Sequence, residues 1–197
     1  MSIVIEHDKR RQMILKRAMD VFVDEGYEDA TYQKIADRCG IQRTTLYLYF
    51  KNKQDIFKAV VKDLMDEIET IFMPAVLDDS YPATEKLKAL ASAVMGSLDN
   101  YRKLLVILLE YLIRVGRSGG DPEERVMRRT IRLRRHLLHI LQKGMKAGEL
   151  KKADMSALAE MIYGMIEASI FRLTILNRSS VKAETEAVIA FIDSLKI

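Results

Sequence analysis

Gly26 and Gly40 divide the N-terminal part of the chain into short helical segments, and this division constrains the fold more than any other feature. Apolar residues recur at helical spacing over residues 8–25, and glycine often follows a helix C-terminus. Thr31 is a suitable N-cap for a second helix over 32–39, which Gly40 closes because glycine tolerates the positive φ of a sharp turn. The spacing predicts a helix-turn-helix, in which Ala36 is small because two helices cross there.

The stretch RTTLYLYF at residues 43–50 follows this turn and has the composition of a β-strand. Because its neighbours are helical, we expect it to form the second helix of the motif, with Leu46, Tyr49 and Phe50 on one side. The rest of its surface carries Thr44, Thr45, Tyr47 and Leu48. Such a face suits base edges in DNA, where Thr and Leu can contact thymine methyl groups and Gln or Arg can read purines. Plain three-helix packing is the alternative.

The composition is typical of a globular helical protein. The chain has 197 residues, of which 49% are hydrophobic and 30% charged, with 3 Pro, 9 Gly and no Trp. The one cysteine, Cys39, excludes an internal disulfide, no apolar run approaches the roughly 20 residues of a membrane span, and the N-terminus does not resemble a signal peptide. We therefore expect a cytoplasmic protein without a membrane partner. The net charge of +4 permits an anionic partner but does not require one.

The remaining periodicity predicts an all-α chain of about nine helices. Asn52 can cap a fourth helix that continues to about residue 73, where Pro74 would end or kink it. Further helices are expected at about 83–98, 101–116, 122–147, 155–176 and 181–195. Glycines and the polar segment 177–180 supply the breaks between these helices.

From about Arg11 to Ile56 the chain resembles the N-terminal domain of the TetR family of transcriptional regulators. The shared positions are Ala18, Phe22, Gly26, Thr31, Ile35, Ala36, Gly40, Leu46, Tyr47, Tyr49, Phe50 and Lys53. The resemblance implies a regulator of the repressor type, which binds a palindromic operator in double-stranded DNA as a homodimer. It also implies a three-helix DNA-binding head over 1–52, and a helical body over 53–197 for dimerisation and for a small-molecule effector that releases the DNA.

The resemblance also implies a set of DNA-binding residues. They are Thr31, Gln42, Arg43, Thr44, Thr45, Tyr47, Leu48, Tyr49 and Lys53. Residues 42–45 would face bases or adjacent phosphates, whereas Thr31, Lys53 and the two tyrosines would bind phosphate, which sets register rather than sequence. For Tyr49, a place mainly in the core is an equal alternative. Thr44 and Leu48 depart from the residues common in the family, so the operator sequence cannot be taken from relatives, and we expect Leu48 to contact a thymine methyl group or a sugar.

The body offers fewer signals about its effector. Flexible methionine side chains suit an adaptable apolar pocket, although core filling is the simpler reading of each one. The residues predicted to bind an effector, which would be apolar or acidic, are Met65, Met95, Tyr111, Met127, Arg134 and Leu138.

Helix 122–147 is strongly basic on one face. That face holds Arg125, Arg128, Arg129, Arg132, Arg135, His136, His139, Lys143 and Lys146. This face is read as solvated, with an anionic ligand, an acidic patch or a membrane surface as alternatives. Arg134 projects to the other, apolar side, so we expect it to be buried and either to pair with a carboxylate such as Glu110 or to anchor an acidic effector.

Helix 155–176 is apolar nearly all round and must be covered on more than one side. In the TetR family the last two long helices form a four-helix dimer interface. The resemblance therefore implies interface positions at Glu160, Tyr163, Gly164, Glu167, Phe171, Val188, Phe191 and Leu195. The alternative is that these side chains fill the core of a monomer.

An enzyme is the main rival class, and the sequence gives it little support. We find no nucleophile with a base at useful spacing and no glycine-rich phosphate loop. His136 and His139 lack an evident third metal ligand. We therefore expect no catalytic activity, no metal and no cofactor. A membrane-surface or protein-interaction module that uses the basic helix is a second rival, but it leaves the short N-terminal helices unexplained.

Overall fold

The chain is all-α, as the sequence predicts. The computed structural model describes residues 2–119 and 122–197, with the side chains of 6–119 and 132–197. Within these ranges the helices are α1 (Ser2–Asp29), α2 (Tyr32–Arg38), α3 (Arg43–Tyr47), α4 (Lys53–Leu77), α5 (Ala83–Asn100), α6 (Arg102–Arg117), α7 (Pro122–Lys146), α8 (Met155–Thr174) and α9 (Lys182–Ser194). An isolated antiparallel bridge joins Leu150 to Lys196. None of the described helices combines the length and apolar character that a membrane span requires.

Gly26 ends the first helical stretch of α1, as the sequence predicts, because its backbone is not helical. Its φ of 79° and ψ of 170° kink the chain, and a further turn follows, in which the Ala30 backbone N–H donates to the Gly26 carbonyl at 3.3 Å. Burial explains this short continuation, because Tyr27 and Ala30 lie in the core on either side of it. The positive φ does require a glycine here, as the sequence indicated.

Pro74 lies inside α4, which continues to Leu77, so the predicted end near residue 73 is wrong, whereas the alternative of a kink at Pro74 stays a prediction. Proline removes one backbone donor, yet the next bond forms, since the Asp78 N–H donates to the Pro74 carbonyl at 3.2 Å. Phe72 and Val76 flank Pro74 and are both buried. Their burial offsets the cost of the missing hydrogen bond.

The predicted cap at the N-terminal end of α4 is confirmed, because Asn52 Oδ1 accepts from the Asp55 N–H at 2.9 Å.

The chain divides into two compact units. The first contains the chain up to Glu67 together with Ile107–Tyr111. Its core includes an aromatic cluster in which the Phe57 ring lies 5.0 Å from Phe22, 4.9 Å from Tyr27 and 5.1 Å from Tyr111. Each such pair contributes roughly 0.5–1.5 kcal/mol beyond its buried area. This cluster fixes α1, α4 and the 107–111 segment around the helix-turn-helix.

The second unit comprises Ile68–Val106 and Leu112–Ile197. In it α5 packs against α7, α8 and α9, and α8 packs against α7 and α9. Its fully buried side chains include Leu87, Leu90, Met95, Leu137, Ile140 and Leu141. Burying one such side chain stabilises a fold by roughly 1.5–3 kcal/mol. The predicted domain boundary between residues 52 and 53 stays a prediction.

Candidate nucleic-acid interface

The helix-turn-helix is built by local hydrogen bonds around Gly40. Thr31 caps α2, its hydroxyl oxygen accepting from the Lys34 N–H at 3.2 Å. After α2 the Ile41 N–H donates to the Ala36 carbonyl at 3.1 Å, and Gly40 adopts a φ of 65°. Ala36 is fully buried, which agrees with its predicted place at the helix crossing. The turn therefore forms as the glycine and alanine spacing predicts.

The segment RTTLYLYF is helical only in its first half. α3 ends at Tyr47, and Leu48 and Tyr49 form a turn that is closed by the Phe50 N–H bonding the Leu46 carbonyl at 3.1 Å. Leu46 and Phe50 are buried and anchor the segment. Leu48 is 76% exposed, so this hydrocarbon side chain projects into solvent from the end of α3. An exposed leucine beside α3 is the expected position for a contact to a thymine methyl group or a sugar.

A tyrosine pair supports the exposed face of α3. The Tyr47 ring stacks on the Tyr32 ring with centroids 4.6 Å apart and an interplanar angle of 28°. Tyr32 is buried, and its hydroxyl donates to the Phe50 carbonyl at 2.6 Å. Burial raises the pKa of Tyr32 to about 12, with a smaller contribution from Tyr47. Sequence reasoning missed this role of Tyr32, which lies at the position where an aromatic ring in α2 can reach α3.

Arg43 completes this arrangement. Its Nη2 donates to the Tyr47 hydroxyl at 3.1 Å, and its guanidinium carbon lies 5.8 Å from the Tyr47 ring centroid and 5.9 Å from that of Tyr32. The hydroxyl of Tyr47 thus accepts from Arg43 and keeps its own proton to donate. The exposed guanidinium and phenol face the same surface, where one can reach a base edge and the other a phosphate.

Tyr49 and Lys53 have intramolecular partners that the sequence did not reveal. The half-buried Tyr49 ring stacks on His7 of α1, with centroids 4.6 Å apart, so it is neither a core residue nor fully free. Lys53 Nζ donates to the carbonyls of Tyr27 at 2.6 Å and Glu28 at 3.0 Å, and lies 4.5 Å from the Tyr27 ring centroid. Lys53 therefore satisfies two backbone carbonyls at the C-terminal end of α1. Its phosphate contact stays a prediction.

The other predicted DNA-binding side chains lie at the surface. Thr31, Gln42 and Thr44 are exposed and Thr45 is half-buried. Neighbouring cations are already paired, since Lys34 contacts Glu25 and Arg38 Nη1 lies 3.1 Å from Asp24 Oδ2. The motif therefore presents hydroxyl, amide, guanidinium and hydrocarbon groups around α3, a mixture suited to a major groove.

Comparison with known proteins identifies this motif. The model of the family described as "Bacterial regulatory proteins, tetR family" matches residues 14–60, which contain the whole helix-turn-helix. The chain belongs to the TetR family. It is a transcriptional regulator of that family, with an N-terminal helix-turn-helix and an all-α architecture.

Relatives match far beyond the head of this TetR-family chain. The fatty acid metabolism regulator protein of Bacillus subtilis (strain 168) is 28% identical over 159 residues, which are 80% of this chain and 79% of that protein. The HTH-type transcriptional repressor KstR2 of Mycolicibacterium smegmatis is 29% identical over 143 residues, or 72% and 68% of the two chains.

Solved structures share the fold. A TetR transcription regulator from Haloarcula marismortui superimposes with a TM-score of 0.83 at 18% identity, covering 96% of this chain and 100% of that one. The transcriptional regulator FadR from Bacillus subtilis, in complex with stearoyl-CoA, gives a TM-score of 0.76 at 24% identity, covering 92% and 96%.

The predicted effector residues fall in both units. Met65 and Tyr111 belong to the first, whereas Met95, Arg134 and Leu138 belong to the second, and Met127 lies outside the residues whose side chains are described. Met95 and Tyr111 are buried in core packing, and the Tyr111 hydroxyl oxygen accepts from Gln54 at 2.8 Å. As an effector site this set stays a prediction.

Arg134 is not buried, which corrects the expectation from the helical wheel. Its side chain is 49% exposed, and its Nη2 lies 2.9 Å from Glu160, not from Glu110. The long side chain carries its charge to solvent, although the half-buried Leu138 lies four residues further along the same helix. No internal carboxylate is needed to neutralise it.

The basic face of α7 is only partly solvated. Arg125, Arg128 and Arg129 lie outside the residues whose side chains are described. Arg132 Nη1 and His136 Nε2 each lie 2.9 Å from the Glu69 carboxylate on α4. His136 also meets the Phe72 ring edge-on at 5.6 Å. The exposed remainder is Arg135, His139, Lys143 and Lys146.

The predicted dimer residues divide into surface and core. Glu160, Glu167 and Phe171 are exposed, and Tyr163, Gly164 and Phe191 are half-buried. Val188 and Leu195 are buried within the chain at 1% and 8% exposure. Both therefore pack in the core of the protomer, and the dimer interface as a whole stays a prediction.

Proposed function

We propose that this TetR-family regulator represses transcription by binding a palindromic operator as a homodimer, and that a small-molecule effector releases it. The observation that carries the proposal is the support of the exposed Arg43 and Tyr47 by the buried Tyr32. Side chains held in this way lose little conformational freedom when they bind, which favours a specific contact over a diffuse electrostatic one.

Each group in this surface has a contact suited to its chemistry. Arg43 can donate two parallel hydrogen bonds to a guanine, the Tyr47 hydroxyl can donate to a phosphate, and Leu48 can cover a thymine methyl group. Thr31 and the N-terminal residues of α3 would complete the phosphate and base contacts. Lys53 would contribute through its positive charge near the end of α1.

A stripe on α8 and α9 supports the homodimer. On α8 the exposed or half-buried small and apolar residues recur at helical spacing, at Ala157, Met161, Gly164, Ala168 and Phe171, and Ile175 continues the stripe just after the helix ends. The exposed positions of α9 include Ala183, Ala187 and Ala190. A side chain added at Gly164 would meet nothing within 4 Å, so this position is open to a partner helix. Small residues allow close helix approach, and a two-fold axis brings the same patch of each subunit together.

The effector we propose is a fatty-acyl compound. The support comes from relatives, since one is a fatty acid metabolism regulator and a fold neighbour holds stearoyl-CoA. The half-buried Met65 and Leu138 are candidate contacts for an apolar chain. An effector that prefers the head separation of the unbound dimer would lower affinity for DNA.

Selection from a pool of random duplexes tests the DNA-binding part of this proposal. The enriched sequences should contain two inverted half-sites whose centres lie one helical turn, or a small multiple of it, apart. A single enriched half-site would contradict the homodimer. A pool that stays random after repeated rounds would contradict sequence reading by α3.

A further inference from the structure

A cleft in the second unit is lined by none of the residues predicted to bind DNA or an effector. It forms between the end of α4, the first turns of α5 and the C-terminal end of α7, and has a volume of about 270 Å³. Its polar lining includes Tyr81, Lys86, His139, Lys143 and Glu149. Cationic side chains from α5 and α7 therefore converge on one small space.

Lys86 is the unusual member of this cleft. Its side chain is only 9% exposed, and the nearest carboxylate oxygen to its ammonium, Asp79 Oδ1, lies 3.7 Å away. A buried ammonium loses its hydration and requires an anion, and this separation exceeds a hydrogen bond. The same Asp79 oxygen lies 3.6 Å from Lys143 Nζ, while the Asp79 side chain is 86% exposed. A loosely held carboxylate thus lies between two ammonium groups without a hydrogen bond to either.

Close helix packing fixes the walls of the cleft. A Cβ atom added at Gly144 would lie 2.4 Å from the Ala83 Cβ and 2.7 Å from Leu150 Cδ1, so only glycine lets α7 approach α5 this closely. Glu149, which follows α7, accepts from the Ala83 N–H at 2.5 Å and so caps the first turn of α5. The lysines are therefore presented by backbone that is held in place, and Glu149 is engaged elsewhere in the lining.

We propose that this cleft binds the phosphate group of a small phosphorylated molecule, with Lys86 at the floor and Lys143 and His139 at the rim. Asp79 occupies the anion position when no ligand is present. A phosphate dianion can bond both ammonium groups at once, which the single carboxylate does not achieve here. The small volume of the cleft suits a small phosphorylated molecule better than a long acyl chain. The half-exposed ring of Tyr81 offers a flat wall to the organic part of the ligand.

Isothermal titration calorimetry on the full chain tests this proposal without DNA. The probes are inorganic phosphate and glycerol 3-phosphate at constant ionic strength, with glycerol as the neutral control. We expect saturable binding of one anion per chain. Tighter binding of glycerol 3-phosphate indicates an organic phosphate as the ligand, and equal binding indicates phosphate alone. Heat that never saturates with either probe, in the wild type and in Asp79→Asn, overturns the proposal.

Three substitutions distinguish a specific phosphate site from nonspecific electrostatic attraction of the anion to a basic surface. Asp79→Asn removes the internal anion and should tighten phosphate binding by about tenfold, because a competing charge is lost. Lys143→Gln should weaken it by about tenfold. Lys146→Gln removes the same charge from the same helix outside the cleft and should leave affinity within about twofold, since it is an exposed, screened charge. A phosphate site is contradicted if Lys143→Gln and Lys146→Gln reduce phosphate affinity equally. It is also contradicted if Asp79→Asn binds phosphate more weakly than the wild type.

Discussion

The Tyr47 ring lies on the Tyr32 ring at 4.6 Å, so a buried residue of α2 positions an exposed residue of the recognition helix. The Tyr32 hydroxyl in turn binds the Phe50 carbonyl, where the turn after α3 closes. One side chain thereby joins three parts of the motif. The stability of the head and the presentation of its DNA-binding face are expected to change together when this residue is altered.

The raised pKa of Tyr32, about 12, predicts an alkaline dependence of stability. The unfolded phenol ionises near pH 10, whereas the folded one keeps its proton, so the unfolded state binds fewer protons between pH 10 and 12. Stability from this group is complete below pH 10 and is lost as pH rises through 12. Urea unfolding from pH 9 to 11.5 should show a steeper fall for the wild type than for Tyr32→Phe. Parallel curves would contradict the shift.

Gly144→Ala should destabilise the chain by about 1–3 kcal/mol, because its Cβ would overlap Ala83 and Leu150. Gly96→Ala is the matched control, since a Cβ there meets nothing within 4 Å. That exposed position lies in the interior of α5, where alanine is preferred over glycine by about 0.5–1 kcal/mol. Chemical denaturation measures the change in the free energy of unfolding for both variants. If Gly144→Ala leaves that free energy unchanged, α7 does not need this close contact.

Glu69 and Glu160 provide a contrast between a partly buried and an exposed carboxylate. Glu69 is 25% exposed and lies 2.9 Å from both Arg132 and His136, whereas Glu160 is 57% exposed and pairs with Arg134. Glu69→Ala should cost about 1–3 kcal/mol, because it leaves two partners without their acceptor. Glu160→Ala should cost less than about 0.5 kcal/mol. A reversed order in urea unfolding would contradict the assignment of Arg134 to the surface.

Phe171→Glu should convert the proposed homodimer into a monomer, because it places a charge in the apolar stripe of α8. Ile113→Glu is the control, since that residue is exposed to a similar degree, at 52% against 53%, on α6. Sedimentation velocity at micromolar concentration separates the two outcomes. A wild-type chain that sediments as a monomer, or a dimer that survives Phe171→Glu, would contradict the interface on α8.

Most of the architecture could be predicted because its signals are local. Caps at Thr31 and Asn52, the positive φ of Gly40 and apolar periodicity each act over a few residues, and the structure has the first three where they were expected. Pro74 was misjudged as a possible helix end, because burial of the neighbouring side chains outweighed the local break.

The details of the candidate interface depend on distant partners, which periodicity cannot reveal. Tyr49 stacks on His7, and Lys53 bonds carbonyls at the end of α1. The stack could not be foreseen because the first helix was expected to begin near residue 8. Arg134 was assigned to the core because its neighbours on the wheel are apolar, although a long side chain can extend past them to solvent.

The most direct test of the account measures how well the regulator distinguishes its selected duplex from a scrambled one. Fluorescence anisotropy at fixed salt should give a preference of at least ~10³-fold for the wild type. Arg43→Ala should lose roughly 1–3 kcal/mol of that preference, since it reads a base. Tyr47→Phe should weaken binding to both duplexes by a similar factor, since the Tyr47 hydroxyl binds phosphate. Tyr81→Phe should leave the affinity for both duplexes unchanged. Equal affinity of the wild type for the two duplexes would contradict a sequence-specific regulator.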